Sequence, residues 1–202
     1  MNATWVAKLG GSLLDPPDLP DLVTRLESVL GHRGGDRPIL VVGGGQGVDL
    51  VRRWDRLFGI GEEASHWIAV RALSINARIV ERVLPRGIVV ETRKACEAAW
   101  SNRQVPIYDC FAFLKGIDEH GEDPLPRAWK VTSDSLAARI AEHFGAAELA
   151  LLKSASLPEL VTIADAVEQG YVDGYFQTAA ARLSVRVAIN LRQENAPVSR
   201  MV

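Results

Sequence analysis

Apolar positions follow two rhythms along this chain, short unbroken runs and longer stretches with a period near 3.6, and the two alternate. Trp5 to Leu9 is a short apolar run broken only by Lys8, and Gly10, Gly11 and Ser12 follow it. Leu19, Leu22, Val23, Leu26, Val29 and Leu30 then recur at helical spacing. After Gly31 a polar break from His32 to Arg37 leads through Pro38 into a second run, Ile39 to Val42, with Gly43, Gly44 and Gly45 immediately behind it. The pattern predicts a strand, a glycine turn and a helix, twice over.

Further along, Val48, Val51, Leu57 and Phe58 predict a helix closed by Gly59 and Gly61, and Trp67 to Leu84 a longer one ended by Pro85 and Gly87. Strands are expected from Gly87 to Val90, Val105 to Tyr108, Leu149 to Leu152 and, as the last, Val185 to Ile189. Helices are expected from Thr92 to Trp100, from Pro158 to Glu168, and behind Ser133, where Leu136, Ile140, Ala141 and Phe144 share a face and Gly145 is the stop. Asp118 to Arg127, acidic and holding Gly121, Pro124 and Pro126, reads as a loop and a candidate mobile flap. Gly170 to Phe176 reads as turn-rich, and Arg192 to Val202 as a polar, frayed end. Strands alternating with helices predict an α/β fold, a three-layer αβα sandwich on a mainly parallel open sheet.

Composition narrows the function. The 202 residues, 48% hydrophobic, fit a single domain spanning 1–202. The 23 basic and 25 acidic side chains give a formal charge of −2, without the one-sided basic footprint of a nucleic-acid binder. No window approaches the roughly 20 apolar residues of a membrane span and no leader pattern opens the chain, so a soluble cytoplasmic protein is expected. Cys96 and Cys110 stand far apart with no histidine nearby, which points to core thiols rather than a disulfide or a zinc site.

The candidate chemistry lies at the glycine turns. Glycine lets backbone N–H groups approach an anion at the point where a helix N-terminus already favours one. Lys8 places a flexible cation above the first such turn. Two turns of this kind suggest two anionic groups held face to face, as phosphoryl transfer requires. The run Gly43-Gly44-Gly45-Gln46-Gly47 matches neither familiar nucleotide motif: it lacks a Gly-Lys-Ser/Thr ending, and the third glycine of the G-x-G-x-x-G frame is Val48. Asp134, among Thr132, Ser133 and Ser135, reads either as part of a helix cap or as a carboxylate between two lysines that keeps both charged and aimed. Lys153, at the carboxyl end of the Leu149 to Leu152 strand, is the second lysine, or else a solvated strand end. His32, His66, His120 and His143 receive no role. Asp165 and Asp173 read as surface caps, and Trp129, Tyr171 and Phe176 as packing residues or an adenine-contacting surface.

Lys8-Leu9-Gly10-Gly11-Ser12, Gly43-Gly44-Gly45, Ser133-Asp134-Ser135-Leu136-Ala137-Ala138 and the late Lys153, in this order, resemble the distributed signature of the amino acid kinase superfamily. The resemblance implies an ATP-dependent kinase. Lys8 and Lys153 would neutralise the moving phosphoryl group and Asp134 would orient both. Gly10, Gly11 and Ser12, with Ser154, would hold ATP, and Gly43, Gly44 and Gly45 the acceptor. ATP and Mg²⁺ are the implied cofactors, and a homo-oligomer, with the Trp67 to Leu84 helix as a possible interface, the implied assembly.

Within the superfamily, the short length and the stretches Trp129 to Ser135 and Gly170 to Phe176 look like the branch that contains the kinase of methanofuran biosynthesis. That branch implies phosphorylation of 5-(aminomethyl)-3-furanmethanol phosphate to the diphosphate; the amine of such a substrate would want a carboxylate, and Asp49, one turn into the helix behind the glycine run, is a candidate. The chain departs from many relatives after the late lysine, where Ser154-Ala155-Ser156 stands in place of an Asp-Gly pair. Two other readings stay open: a kinase for another small phosphate or carboxylate, such as a nucleotide or isoprenoid phosphate, and a binder or store of molybdate or tungstate.

Overall fold

A computed structural model describes residues 3–14, 19–31, 36–194 and 197–202. The polar break at 32–35, with His32, lies outside them. Eight strands form one sheet: β1 (Thr4–Leu9), β2 (Arg37–Val42), β3 (Gly87–Val90), β4 (Val105–Tyr108), β5 (Glu148–Lys153), β6 (Leu160–Val161), β7 (Arg186–Asn190) and β8 (Val198–Met201). Their spatial order is β3-β4-β2-β1-β5-β7-β8-β6, parallel from β3 through β7, with β8 antiparallel to β7.

The helices are α1 (Leu19–Gly31), α2 (Gly45–Phe58), α3 (Glu62–Val83), α4 (Arg93–Ser101), α5 (Cys110–Gly116), α6 (Ser133–Phe144), α7 (Ile163–Glu168) and α8 (Phe176–Ala179). They cover both faces. Val6, Ile39, Val41, Leu149 and Leu151 pack with Leu136, Ile140 and Phe144 of α6 on one side. Trp5, Ala7, Leu40, Val42, Ala150 and Leu152 pack with Leu22, Leu26 and Leu30 of α1 on the other. Because each central strand buries both of its faces, its sequence reads as a continuous apolar run, the mark of a parallel sheet between helical layers. The expected three-layer α/β sandwich is therefore present.

Several expectations are corrected. The helix expected from Val48 begins at Gly45, inside the glycine run, and the one expected from Trp67 begins at Glu62. Only the second half of Pro158 to Glu168 is helical. Leu160–Val161 pairs with β8 first, and the Thr162 hydroxyl then caps α7 through the Asp165 N–H. Val185 to Ile189 corresponds to β7 but is not the last strand. The end expected to fray instead forms β8, with Ser199 and Met201 buried.

The 118–127 segment is tied to the body rather than free. Buried Asp118 accepts the Leu125 N–H at 2.8 Å, Leu125 itself is buried, and Arg127 pairs with Glu63 and Glu119. Cys96 and Cys110 are free, buried thiols, and burial pushes that of Cys96 up to about 12. Among the described residues no helix is long and apolar enough to cross a membrane.

Candidate active site

Strand periodicity aims both lysines at one helix. Lys8 shares a face of β1 with Val6, and Lys153 shares a face of β5 with Leu149 and Leu151. That face is the one covered by α6, whose first turn carries Asp134. The Lys8 ammonium lies 2.7 Å from Asp134 Oδ1 and that of Lys153 2.8 Å from Oδ2. Lys8 and Asp134 are each only 4% exposed. Lys153 also donates to the Tyr171 carbonyl.

Two ammonium groups on one carboxylate leave an excess positive charge in a nearly dry place, a strong attraction for an anion. Burial alone would raise the Asp134 carboxyl, but Lys8 and then Lys153 outweigh it and hold it below the usual carboxylate range. Burial, and next the neighbouring Lys8, pull the Lys153 ammonium below its ordinary value, against the opposing pull of Asp134.

The two glycine turns meet at this cluster. The Gly10 N–H continues the ladder to Leu152 O at 2.8 Å, and the Gly43 N–H does the same to Leu9 O at 2.8 Å, so both turns leave the sheet at one level. They touch through backbone. A Cβ on Gly11 would lie 2.1 Å from Gly45 N, one on Gly43 would lie 2.7 Å from Gly11 N, and Gly45 has a φ of +48°. Side chains at these positions would push the turns apart. Since α2 starts at Gly45 with no side-chain cap on its first turn, its first N–H groups point outward unpaired by the helix. Asn76 of α3 fixes the second turn by donating to the Gly43 and Gly44 carbonyls at 2.8 and 2.9 Å. On the opposite side of the first turn, the Ser12 and Ser154 hydroxyls stand 2.9 Å apart.

A cavity of about 210 Å³ opens beside the second turn. Ser12, Asp49, Arg52, His66, Thr132 and Ser133 supply its polar lining beside Gly11, Gly44 and Gly45, and Val48, Ala69, Val70, Leu73, Val131 and Leu136 with Trp129 its apolar lining. Asp49 is mostly exposed and pairs with Arg52 at 3.2 Å, while the Arg52 guanidinium sits 5.2 Å from the centre of the Trp129 ring. Trp129 is steadied by its indole N–H donating to Asp55 at 2.8 Å. Burial holds the His66 imidazole below its usual pKa.

Of the aromatic residues considered for the adenine, Phe176 is wholly buried, Tyr171 stacks its ring 5.0 Å from Lys153 Nζ, and Trp129 lines the cavity on the Asp49 side. The sequence reading missed Asn76, Arg52, His66 and the Tyr171 carbonyl.

The sheet changes direction at β1, with β2 on one side and β5 on the other, and ligands of open α/β sheets collect outside such a point. A cationic cluster between two glycine turns at that place suits an anion such as a phosphate group. The model of the Amino acid kinase family matches residues 3–156, and the chain belongs to that family, as a small-molecule kinase.

Curated protein sequences offer no match. Among solved structures, UMP kinase from Ureaplasma parvum is similar at a TM-score of 0.71 and 16% identity, over 100% of this chain and 99% of that one. Uridylate kinase from Archaeoglobus fulgidus gives 0.67 and 16%, over 98% and 99%. Aspartate kinase from Synechocystis gives 0.71 and 12%, over 99% of this chain but 40% of its own. At these identities the likeness speaks to the fold.

Proposed function

We propose that the chain transfers the γ-phosphoryl group of ATP to the phosphate of a small acceptor, 5-(aminomethyl)-3-furanmethanol phosphate, giving the diphosphate. The observation that carries the transfer is the shared Asp134 carboxylate holding Lys8 and Lys153 at 2.7 and 2.8 Å between the two glycine turns. Phosphoryl transfer asks little covalent chemistry of a protein and much positioning and charge cancellation. Lys8 and Lys153 neutralise the charge on the moving group, and Asp134 orients them. Gly10, Gly11, Ser12 and Ser154 hold ATP, and Gly43, Gly44 and Gly45 hold the acceptor phosphate.

The attacking oxygen of a phosphate monoester, with its second pKa near ~6, is largely ionised at neutral pH, so no general base is required. Among the described residues no three His, Cys, Asp or Glu side chains gather to cage a metal, and Asp134 already serves both lysines. Mg²⁺ brought in with ATP would supply neutralisation of phosphate charge beside Lys8 and Lys153.

The cavity supports the acceptor. It is small, has the Trp129 indole as a wall for a flat ring and Asp49 as a carboxylate for an ammonium, while Val48, Val70, Leu73, Val131 and Leu136 give it an apolar side that an isoprenoid phosphate would also use. Exposed Ile68, Ile75 and Ile79 on α3 support assembly of identical chains. The test is ATP consumption measured across phosphorylated and carboxylated small acceptors. Turnover is expected with the furan phosphate above nucleoside monophosphates and isoprenoid phosphates. Consumption with none of them overturns the transfer reading, and preference for another acceptor overturns the furan.

A further inference from the structure

One carboxylate outside the lysine cluster is committed to it from a distant part of the chain. Asp173 Oδ2 accepts from the Thr132 N–H at 3.0 Å, the Thr132 hydroxyl at 2.8 Å and the Ser135 N–H at 3.0 Å. Its Oδ1 accepts from the Ser135 hydroxyl at 2.5 Å and the Tyr175 N–H at 3.0 Å. A helix N-terminus is usually capped by a neighbour in sequence. Here the first turn of α6 is capped from 38 residues away, and Thr132, its local cap, reaches the Asp134 N–H at only 3.4 Å while donating its own hydroxyl hydrogen to Asp173.

The turn that carries Asp173 also carries the Tyr171 carbonyl that accepts from Lys153. Residues 171–175 thus grip both partners of one ion pair: Lys153 directly, and Asp134 through the helix turn between Thr132 and Ser135.

We infer that Asp173 is a positioning residue of the transfer site, locking the first turn of α6 to the Tyr171–Tyr175 turn so that Asp134 and the Tyr171 carbonyl meet Lys153 from fixed directions. This rests on the phosphotransfer reading of the cluster. The groups that face Lys153 are Asp134 from α6, Lys8 from β1, and Asp173 and the Tyr171 ring from the turn. Burial and Lys8 favour loss of its proton, while Asp134 and Asp173 oppose it. Removing the Asp173 charge withdraws one of the two carboxylates that help Lys153 keep its proton, so Lys153 should lose it at lower pH.

The test is Asp173→Asn, with circular dichroism as the check on folding. Its kcat should fall about 100-fold, the order of loss from a displacement near 1 Å at a reacting centre. The Michaelis constants for ATP and acceptor should change far less, and the alkaline limb of the rate profile should move to lower pH. A kcat within about twofold of the parent, or an unmoved alkaline limb, overturns the inference.

Should Asp173→Asn fail to fold, Ser135→Ala removes one of the five hydrogen bonds and keeps the charge. It should lower kcat by about tenfold with the alkaline limb in place, and an unchanged kcat overturns the inference. If the parent turns over no acceptor, the transfer reading fails by itself. The positioning is then read from the Lys153 side-chain resonance, assigned by Lys153→Arg and titrated by NMR. It should lose its proton at lower pH in Asp173→Asn than in the parent, and coincident curves overturn the inference.

Discussion

Asp134 answers for two charges at once. With its carboxylate removed, two ammonium groups, one of them 4% exposed, face each other unpaired, and breaking a buried pair in this way costs about 3–5 kcal/mol. Asp134→Asn should lose stability of this order at pH 7 in denaturant unfolding. The Asp134 carboxyl lies below its usual pKa in the folded chain, so its contribution is whole above the unfolded value near ~3.9 and is lost as pH falls through the lower folded value. The gap between parent and variant should accordingly narrow on acidification.

Asp49 makes a different kind of prediction, because it is exposed and paired only with Arg52. Asp49→Asn should raise the Michaelis constant for an aminated acceptor several-fold more than that for ATP in steady-state kinetics, and equal effects would remove Asp49 from the acceptor site. The residues of the cluster were legible because each breaks a local pattern: Lys8 interrupts an apolar strand, and Lys153 ends one. Asp173 was not, since in sequence it is one more acid beside a glycine, and the donors it serves lie on another helix.

Among the elements, the two glycine turns were read as cradles for phosphate, and the structure adds that they are also each other's packing partners. Gly11→Ala sets a methyl against the Gly45 backbone, where nothing flexible can yield. It should cost at least about 1–3 kcal/mol, the range for overpacking, and abolish turnover, as measured by thermal unfolding and by the ATP assay. The central strands were legible because burial of both faces writes itself as an unbroken apolar run.

The edge behaved otherwise. Leu160–Val161 is two residues long with Leu160 exposed, and β8 alternates exposed and buried positions among polar residues, so neither carries an apolar run. α5 is seven residues capped by Asp109 through the Ala112 N–H, too short for helical periodicity to declare it.

Across the whole molecule, the sheet order places the ends of β1 and β5 side by side, and so converts two lysines 145 positions apart into neighbours of one carboxylate. The outer side of α3 exposes Ile75 at 63% and Ile79 at 48%, a stripe that solvent alone does not favour. On the proposed assembly of identical chains through this stripe, Ile75→Glu should run as a monomer in light scattering with the fold intact and the parent as a larger species; equal masses for the two would contradict the proposal.

The central claim is that Lys8, Asp134 and Lys153 act together on a phosphoryl group passing between the two glycine turns. Phosphorus NMR of the protein with ATP, Mg²⁺ and the furan phosphate tests it most directly, run beside a Lys8→Ala variant shown to be folded. The account predicts a new diphosphate signal growing as ATP is converted to ADP, and its loss by at least about 100-fold in rate in the variant. A variant that forms the diphosphate as fast as the parent would contradict it.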